Sequence, residues 1–193
     1  FMDIIEEAVA ELKDTEFKEL FKEETSLKRL NEKIRKKAES VSTIIENDFN
    51  AYISEEYIQN NVERLNVYKR LYEVKDNKSL ELISDELRDR FGPFGDGTRN
   101  LLKVIGIKII ATETGLEKIT VTGKEMQMYF PRDKTHSIFQ GNFFGELINK
   151  MSTTKSGKFS IANNKDRLII EVRLEKEDDG GRISEIRQTL NTM

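Results

Sequence analysis

The chain contains no cysteine, no tryptophan, a single histidine and two prolines. Without thiols there is no disulfide, no thiolate nucleophile and no cysteine-held metal, which is compatible with a reducing compartment. The lone histidine, His136, has no second histidine or cysteine with which to build a zinc shell. No Gly-x-Ser-x-Gly turn supplies a serine for it to activate, so a surface or helix-capping histidine is the plainer reading. No run of about 18 apolar residues occurs, and no basic segment leads into an apolar stretch at the start, so neither a membrane span nor a secretory signal is readable. We expect a cytoplasmic protein. An excess of charge of one sign is missing too: 32 basic against 35 acidic side chains leave a formal charge of -3. Bulk charge therefore selects no partner, and a general nucleic-acid binder is not the default.

What is present is enough to fold. Of 193 residues, 37% are apolar, sufficient for one domain with a core, and 35% are charged. The chain opens Phe1-Met2-Asp3, and the expectation is a piece of a longer protein. We divide it into a charged helical arm over 1–40, continuing from something upstream, and a second unit over 41–193. The arm carries a basic stretch, Lys28, Arg29, Lys33, Arg35, Lys36 and Lys37, which reads either as a phosphate-binding helix or as a solvated face interrupted by Glu32 and Glu39. Val41 to Ile53 has β-branched residues without a clean period and suits a short strand or a connector.

From Ser54 the pattern becomes helical. Ser54 is a cap candidate with Glu55 and Glu56 behind it, and Ile58, Val62, Leu65, Tyr68 and Leu71 recur at three or four residues up to Glu73. Asp76 caps the next helix, whose buried stripe is Leu80, Ile83, Leu87 and Phe91, and Gly92-Pro93 stops it. A third helix, apolar on most sides, is expected over Thr98 to Thr114, closing at Gly115. The period then changes to two. Ile119 and Val121 alternate with threonines, Gly123-Lys124 suits a two-residue turn, and Met126, Met128 and Phe130 return. Ile138 to Met151 reads as a helix. A second hairpin runs from Phe159 and Ile161 through Asn163 to Asp166 and back along Leu168, Ile170, Val172 and Leu174. A last short helix bears Ile183, Ile186 and Leu190. The expected class is α+β, with N-terminal helices packed on a small antiparallel sheet built from two hairpins.

Chemistry is hard to find. Neither Gly123-Lys124-Glu125 nor Ser156-Gly157-Lys158 makes a phosphate-cradling loop, and Gly95-Asp96-Gly97 reads as an ordinary loop lacking the third glycine of a dinucleotide site. Phe139 and Phe143 share a helix face, which suits a core better than base stacking. We expect no enzyme activity, no metal and no nucleotide site. One surface stands out. At about 100° per residue from Leu80, Glu86, Asp89 and Arg90 fall near 240°, 180° and 280°, off the buried stripe, with Leu82 near 200° between them. A solvated face is one reading. A docking surface of mixed charge around a leucine is the other.

The runs Tyr52-Ile53-Ser54-Glu55-Glu56-Tyr57-Ile58, Arg64-Leu65-Asn66-Val67-Tyr68-Lys69-Arg70-Leu71 and Asp85-Glu86-Leu87-Arg88-Asp89-Arg90-Phe91-Gly92-Pro93, followed by Asn100-Leu101-Leu102, resemble the C-terminal (TRCF) domain of bacterial transcription-repair coupling factors. The opening Glu6 to Lys13 is similar to the segment by which the motor part of that family enters the domain. The resemblance covers about Tyr52 to Leu116. Where the family tends to have a second proline after Pro93, this chain has Gly95. The resemblance implies a regulatory domain with no catalysis or cofactor of its own, while ATP and magnesium belong to the motor of a parent DNA translocase. It implies that the domain docks in cis on an N-terminal UvrB-like module, masks the recruitment of UvrA and restrains the motor until RNA polymerase is engaged. Position by position it assigns contact roles to Glu86, Asp89 and Arg90, to which periodicity adds Leu82, and leaves Phe91 and Gly92 to packing and helix termination. The competing expectation is an accessory domain that touches DNA through the basic stretch 28–37.

Overall fold

The structure, a computed structural model, describes residues 42–133, 136, 139, 145, 149, 159–164 and 167–191. The charged arm, the basic stretch 28–37 and most of the expected helix 138–151 lie outside the described residues. The first strand, β1 (Ile44–Asn47), is followed by three helices, α1 (Asn61–Glu73), α2 (Asn77–Phe91) and α3 (Asp96–Glu113). Strands β2 (Lys118–Thr122), β3 (Glu125–Tyr129), β4 (Phe159–Asn164) and β5 (Arg167–Arg173) come next, and α4 (Asp179–Asn191) closes the fold.

Local chemistry sets most of these boundaries. Asp76 caps α2 as expected, accepting from the Ser79 backbone N–H at 2.8 Å and from its hydroxyl at 2.9 Å. At the other end Gly92 takes φ 84°, a conformation that costs a side-chain-bearing residue about 1 kcal/mol or more. Its N–H returns to the Arg88 carbonyl at 3.0 Å. The start of α1 differs from expectation. Ser54 caps only a single turn, in which the Tyr57 and Ile58 amides reach the Ser54 carbonyl, and α1 begins after Asn60, whose side chain accepts from the Glu63 N–H at 2.9 Å. Ile53 and Ile58 are both buried, and their spacing of five does not fit one helical face. Burying both requires a turn there. Likewise Gly95-Asp96-Gly97 is not a loop, because Gly95 is the cap of α3 and helix begins at Asp96. Gly97 is required by proximity, since a Cβ there would lie 2.9 Å from the Tyr52 carbonyl oxygen.

The sheet has five strands in the order β1-β2-β3-β5-β4. Both expected pairs form, β2 with β3 and β4 with β5, and β3 joins β5 antiparallel. Gly123 takes φ 55° in the first turn, as a tight hairpin requires. The second pairing runs further than expected, to Asn164 opposite Arg167, so the Asn163-Asn164 pair is strand and not turn. The sheet is also mixed and not purely antiparallel, because β1 adds to β2 in parallel, with Ile45 opposite Ile119. Both isoleucines are buried, and the apolar match holds the register.

One core serves the whole unit. Leu101, Val104, Ile105 and Ile109 of α3 pack with Ile119, Met126, Met128 and Ile170 of the sheet and with Ile183, Ile186 and Leu190 of α4. Helices thus cover one sheet face. On the other, Thr120 donates to the Gln127 amide oxygen, Gln127 donates to Glu171 at 3.0 Å, and the Ser160 hydroxyl donates to Glu171 at 2.9 Å, a polar row across four strands.

The last helix is fastened by a buried charge. The Arg182 side chain is 8% exposed and donates to Asp48 at 2.8 Å, to the Gly123 carbonyl at 2.6 Å and to Asp179 at 2.6 Å. Its guanidinium also sits 4.7 Å from the centre of the Phe49 ring. Asp48 in turn accepts from the Gly123 N–H, and Asp179 from the Asn50 N–H. One arginine therefore ties α4 to the β1–α1 connection and to the β2–β3 turn.

Candidate docking face

The three sequence stretches behind the family resemblance interlock around α2. The Tyr57 hydroxyl lies 2.9 Å from the Leu87 carbonyl and 3.1 Å from the Gly92 carbonyl, at the C-terminal end of α2. Its ring meets Phe91 and Phe94 edge-on, at 5.8 and 6.0 Å between centroids. Burial pushes the Tyr57 phenol up, against the opposing pull of Arg88. The Ile53 N–H donates to the Tyr68 hydroxyl at 2.7 Å, and buried Arg64 donates to the Ile58 carbonyl and to Glu55, both at 2.9 Å. Phe91 packs against the core and Gly92 ends the helix. α2 is thereby held at its C-terminal end, from which its outer flank is presented.

The structure divides the four expected docking residues into two pairs. Leu82 is 64% exposed, a large apolar side chain turned to solvent. Asp89 is exposed as well and, among the described residues, has no ion pair or hydrogen-bond partner for its carboxylate. Glu86 and Arg90 are engaged internally. Arg70 of α1 grips Glu86 with both terminal nitrogens, at 2.8 and 2.5 Å, and Arg90 reaches the same carboxylate at 3.1 Å. Arg90 also pairs with Glu63 of α1. The result is a chain of four alternating charges, Arg70, Glu86, Arg90 and Glu63, bridging α1 and α2. The Arg70 fork, aided by Arg90 and opposed by partial burial, lowers the Glu86 carboxyl to about 2. Beside the chain lies an open depression of about 450 Å³ whose lining includes Val62, Asn66, Arg70 and Arg90. Val62 is 47% exposed there.

Sequence reasoning did not place Glu63 or Arg70 at this face, and it set Val62 among the recurring apolar positions of α1, where it is exposed. All three lie on α1, and a helical wheel drawn for α2 alone carries no information about what crosses from its neighbour. The signal available was Arg70 itself, inside a stretch already singled out and six residues after Arg64.

Such a surface offers charged and apolar contacts. The carboxylates with displaced pKa values, Asp76, Glu86 and Glu177, are all lowered, which keeps them charged acceptors, whereas a general acid needs the opposite shift. Among the described residues no cluster of histidine, aspartate and glutamate could hold a metal ion, and no helix is long and apolar enough to cross a membrane. His136 is half-buried, and its backbone N–H donates to the Asp133 carbonyl at 3.0 Å.

Residues 47–140 match the family model of the TRCF domain. The chain carries a TRCF domain. Transcription-repair-coupling factors are the curated relatives: that of Staphylococcus epidermidis is 33% identical over 94 residues, 49% of this chain and 8% of that protein. That of Staphylococcus haemolyticus is 36% identical over 84 residues, 44% of this chain and 7% of that protein. The Staphylococcus aureus protein aligns further, at 29% identity over 133 residues, 67% of this chain and 11% of that protein. The chain thus spans about a tenth of the length of these relatives. A solved C-terminal domain of transcription-repair coupling factor has the same fold, with a TM-score of 0.62 at 18% identity, covering 79% of this chain and 94% of that one. All three stretches that interlock around α2 fall within the matched TRCF region.

Proposed function

We propose that this TRCF domain is a regulatory clamp with no chemistry of its own. It docks in cis on the N-terminal UvrB-like module of a transcription-repair coupling factor through Leu82, Glu86, Asp89 and Arg90. Docked, it covers the surface that recruits UvrA and restrains the DNA translocase motor, whose ATP and magnesium are bound in other domains. Released by engagement with RNA polymerase, it uncovers that surface. The observation that carries this reading is the outer flank of α2, where an exposed leucine and an aspartate with no partner among the described residues stand beside a fixed charge pair on a helix tied down at its C-terminal end. A clamp that must open suits hydrogen-bonded charges around one apolar contact better than a wide apolar seal.

Asp89→Ala in the full-length protein is the cleanest test, because Asp89 has no partner among the described residues. Affinity for UvrA is expected to rise, since the closed state loses a contact that the open state never makes. Combining it with Glu86→Ala enlarges the effect. Unchanged UvrA binding in the double variant would rule out this face as the clamp.

A further inference from the structure

We infer that Arg70 and Glu63 of α1 are positioning residues for the docking face, so that the surface read by the partner is made by two helices and not by α2 alone. This rests on the clamp reading above. Glu86 leaves α2 on the flank nearest α1, and a glutamate on a helix surface ordinarily samples several rotamers. Here the fork of Arg70 meets both carboxylate oxygens, which fixes the plane of the carboxylate as well as its place. Oε1 also takes a bond from Arg90, whereas Oε2 takes only that from Arg70 and keeps a lone pair for a donor from outside. Arg90 is fixed in the same manner from its other side. One terminal nitrogen holds Glu86 and the other holds Glu63. A partner therefore meets side chains already ordered, and binding need not pay the entropy of ordering them. Neither Arg70 nor Glu63 has to touch the partner for this to work. Of the cations close to Glu86, only Arg70 comes from the neighbouring helix, and a lysine in its place would supply charge without the two-pronged geometry.

Arg70→Gln, Arg70→Lys and Glu63→Gln separate positioning from contact and from folding. In the 193-residue chain, carbon-detected NMR titration of side-chain carboxyls follows Glu86 directly. Arg70→Gln is expected to return it towards the ordinary carboxylate range, while a single cooperative thermal transition excludes general loss of structure. Binding of the same variants to the separately produced UvrB-like module is expected to fall roughly five-fold for Arg70→Gln, with Arg70→Lys recovering only part. Arg70→Gln combined with Glu86→Ala should bind no worse than Glu86→Ala alone, because Arg70 acts through Glu86. Wild-type binding by Arg70→Gln while Asp89→Ala or Glu86→Ala weakens it would overturn the inference and leave the clamp intact. If neither Asp89→Ala nor Glu86→Ala weakens binding, the clamp reading fails and this inference fails with it.

Discussion

Two of the arginine networks in this domain differ most in their burial. Arg182 is 8% exposed and fastens α4 to two distant connections. Arg70 and Arg90, 43% and 44% exposed, bridge α1 and α2 in open solvent with the same guanidinium–carboxylate chemistry. Burial decides what each can do. Around Arg182 the low dielectric strengthens every bond and makes an orphaned partner expensive, so the network is structural and leaves little for a visitor. Around Arg70 and Arg90 water screens the charges, the contribution to folding is small, and the groups stay available for recognition. Stability and availability are opposite ends of one scale.

Removing Arg182 should have the largest effect. Arg182→Met leaves Asp48 and Asp179 without their shared cation, and thermal unfolding should show a loss of about 3 kcal/mol, the low end for a broken buried pair because Asp48 is partly solvated. A loss below about 1 kcal/mol would erase the contrast. Tyr57→Phe deletes the hydroxyl that faces the Leu87 and Gly92 carbonyls and is expected to cost about 1 kcal/mol in denaturant unfolding. The outer network enters next, through acid. Glu86 has a folded pKa of about 2, below its ordinary value of 4.5. Its contribution is therefore complete above pH 4.5 and is lost as the pH falls towards 2. Discounted for its partial exposure, that contribution is on the order of 1 kcal/mol. Arg70→Gln should flatten the stability profile in that window by lowering stability at neutral pH by up to about 1 kcal/mol, while leaving it nearly unaltered near pH 2, where Glu86 is already protonated. Smallest of all, Leu82→Ser and Asp89→Asn should move the unfolding midpoint by less than about 0.5 kcal/mol. If either proves strongly destabilising, the flank of α2 is part of the fold and not a surface held out for a partner.

How far the sequence revealed this can be argued element by element. α2 was legible from cap to stop because its signals are local: Asp76, a four-membered apolar stripe and Gly92 lie within one short stretch. The beginning of α1 was misread because Ser54-Glu55-Glu56 has the chemistry of a cap, and only the later burial of Tyr57 and Ile58 turns that stretch into a latch. The parallel strand β1 showed no more than β-branched residues, since its partner lies far along the chain and no turn signal marks the pairing. The same limit applied to the candidate face. Periodicity placed Leu82, Glu86, Asp89 and Arg90 off the core, but Glu63 and Arg70 enter through the packing of one helix on another, which a single-helix projection does not contain.

The pairing of β1 with β2 has a consequence for biogenesis. Ile44 stands opposite Lys118, 74 positions later. At ribosomal speeds of about 5–20 residues per second, the first strand leaves the exit tunnel roughly 4 to 15 seconds before its neighbour does. Throughout that interval Ile44 and Ile45 wait without a ladder, while the intervening helices can already form from local contacts. The nascent chain is therefore most vulnerable to mispairing at its earliest strand, and the event that ends the vulnerability is the arrival of Lys118 to Thr122.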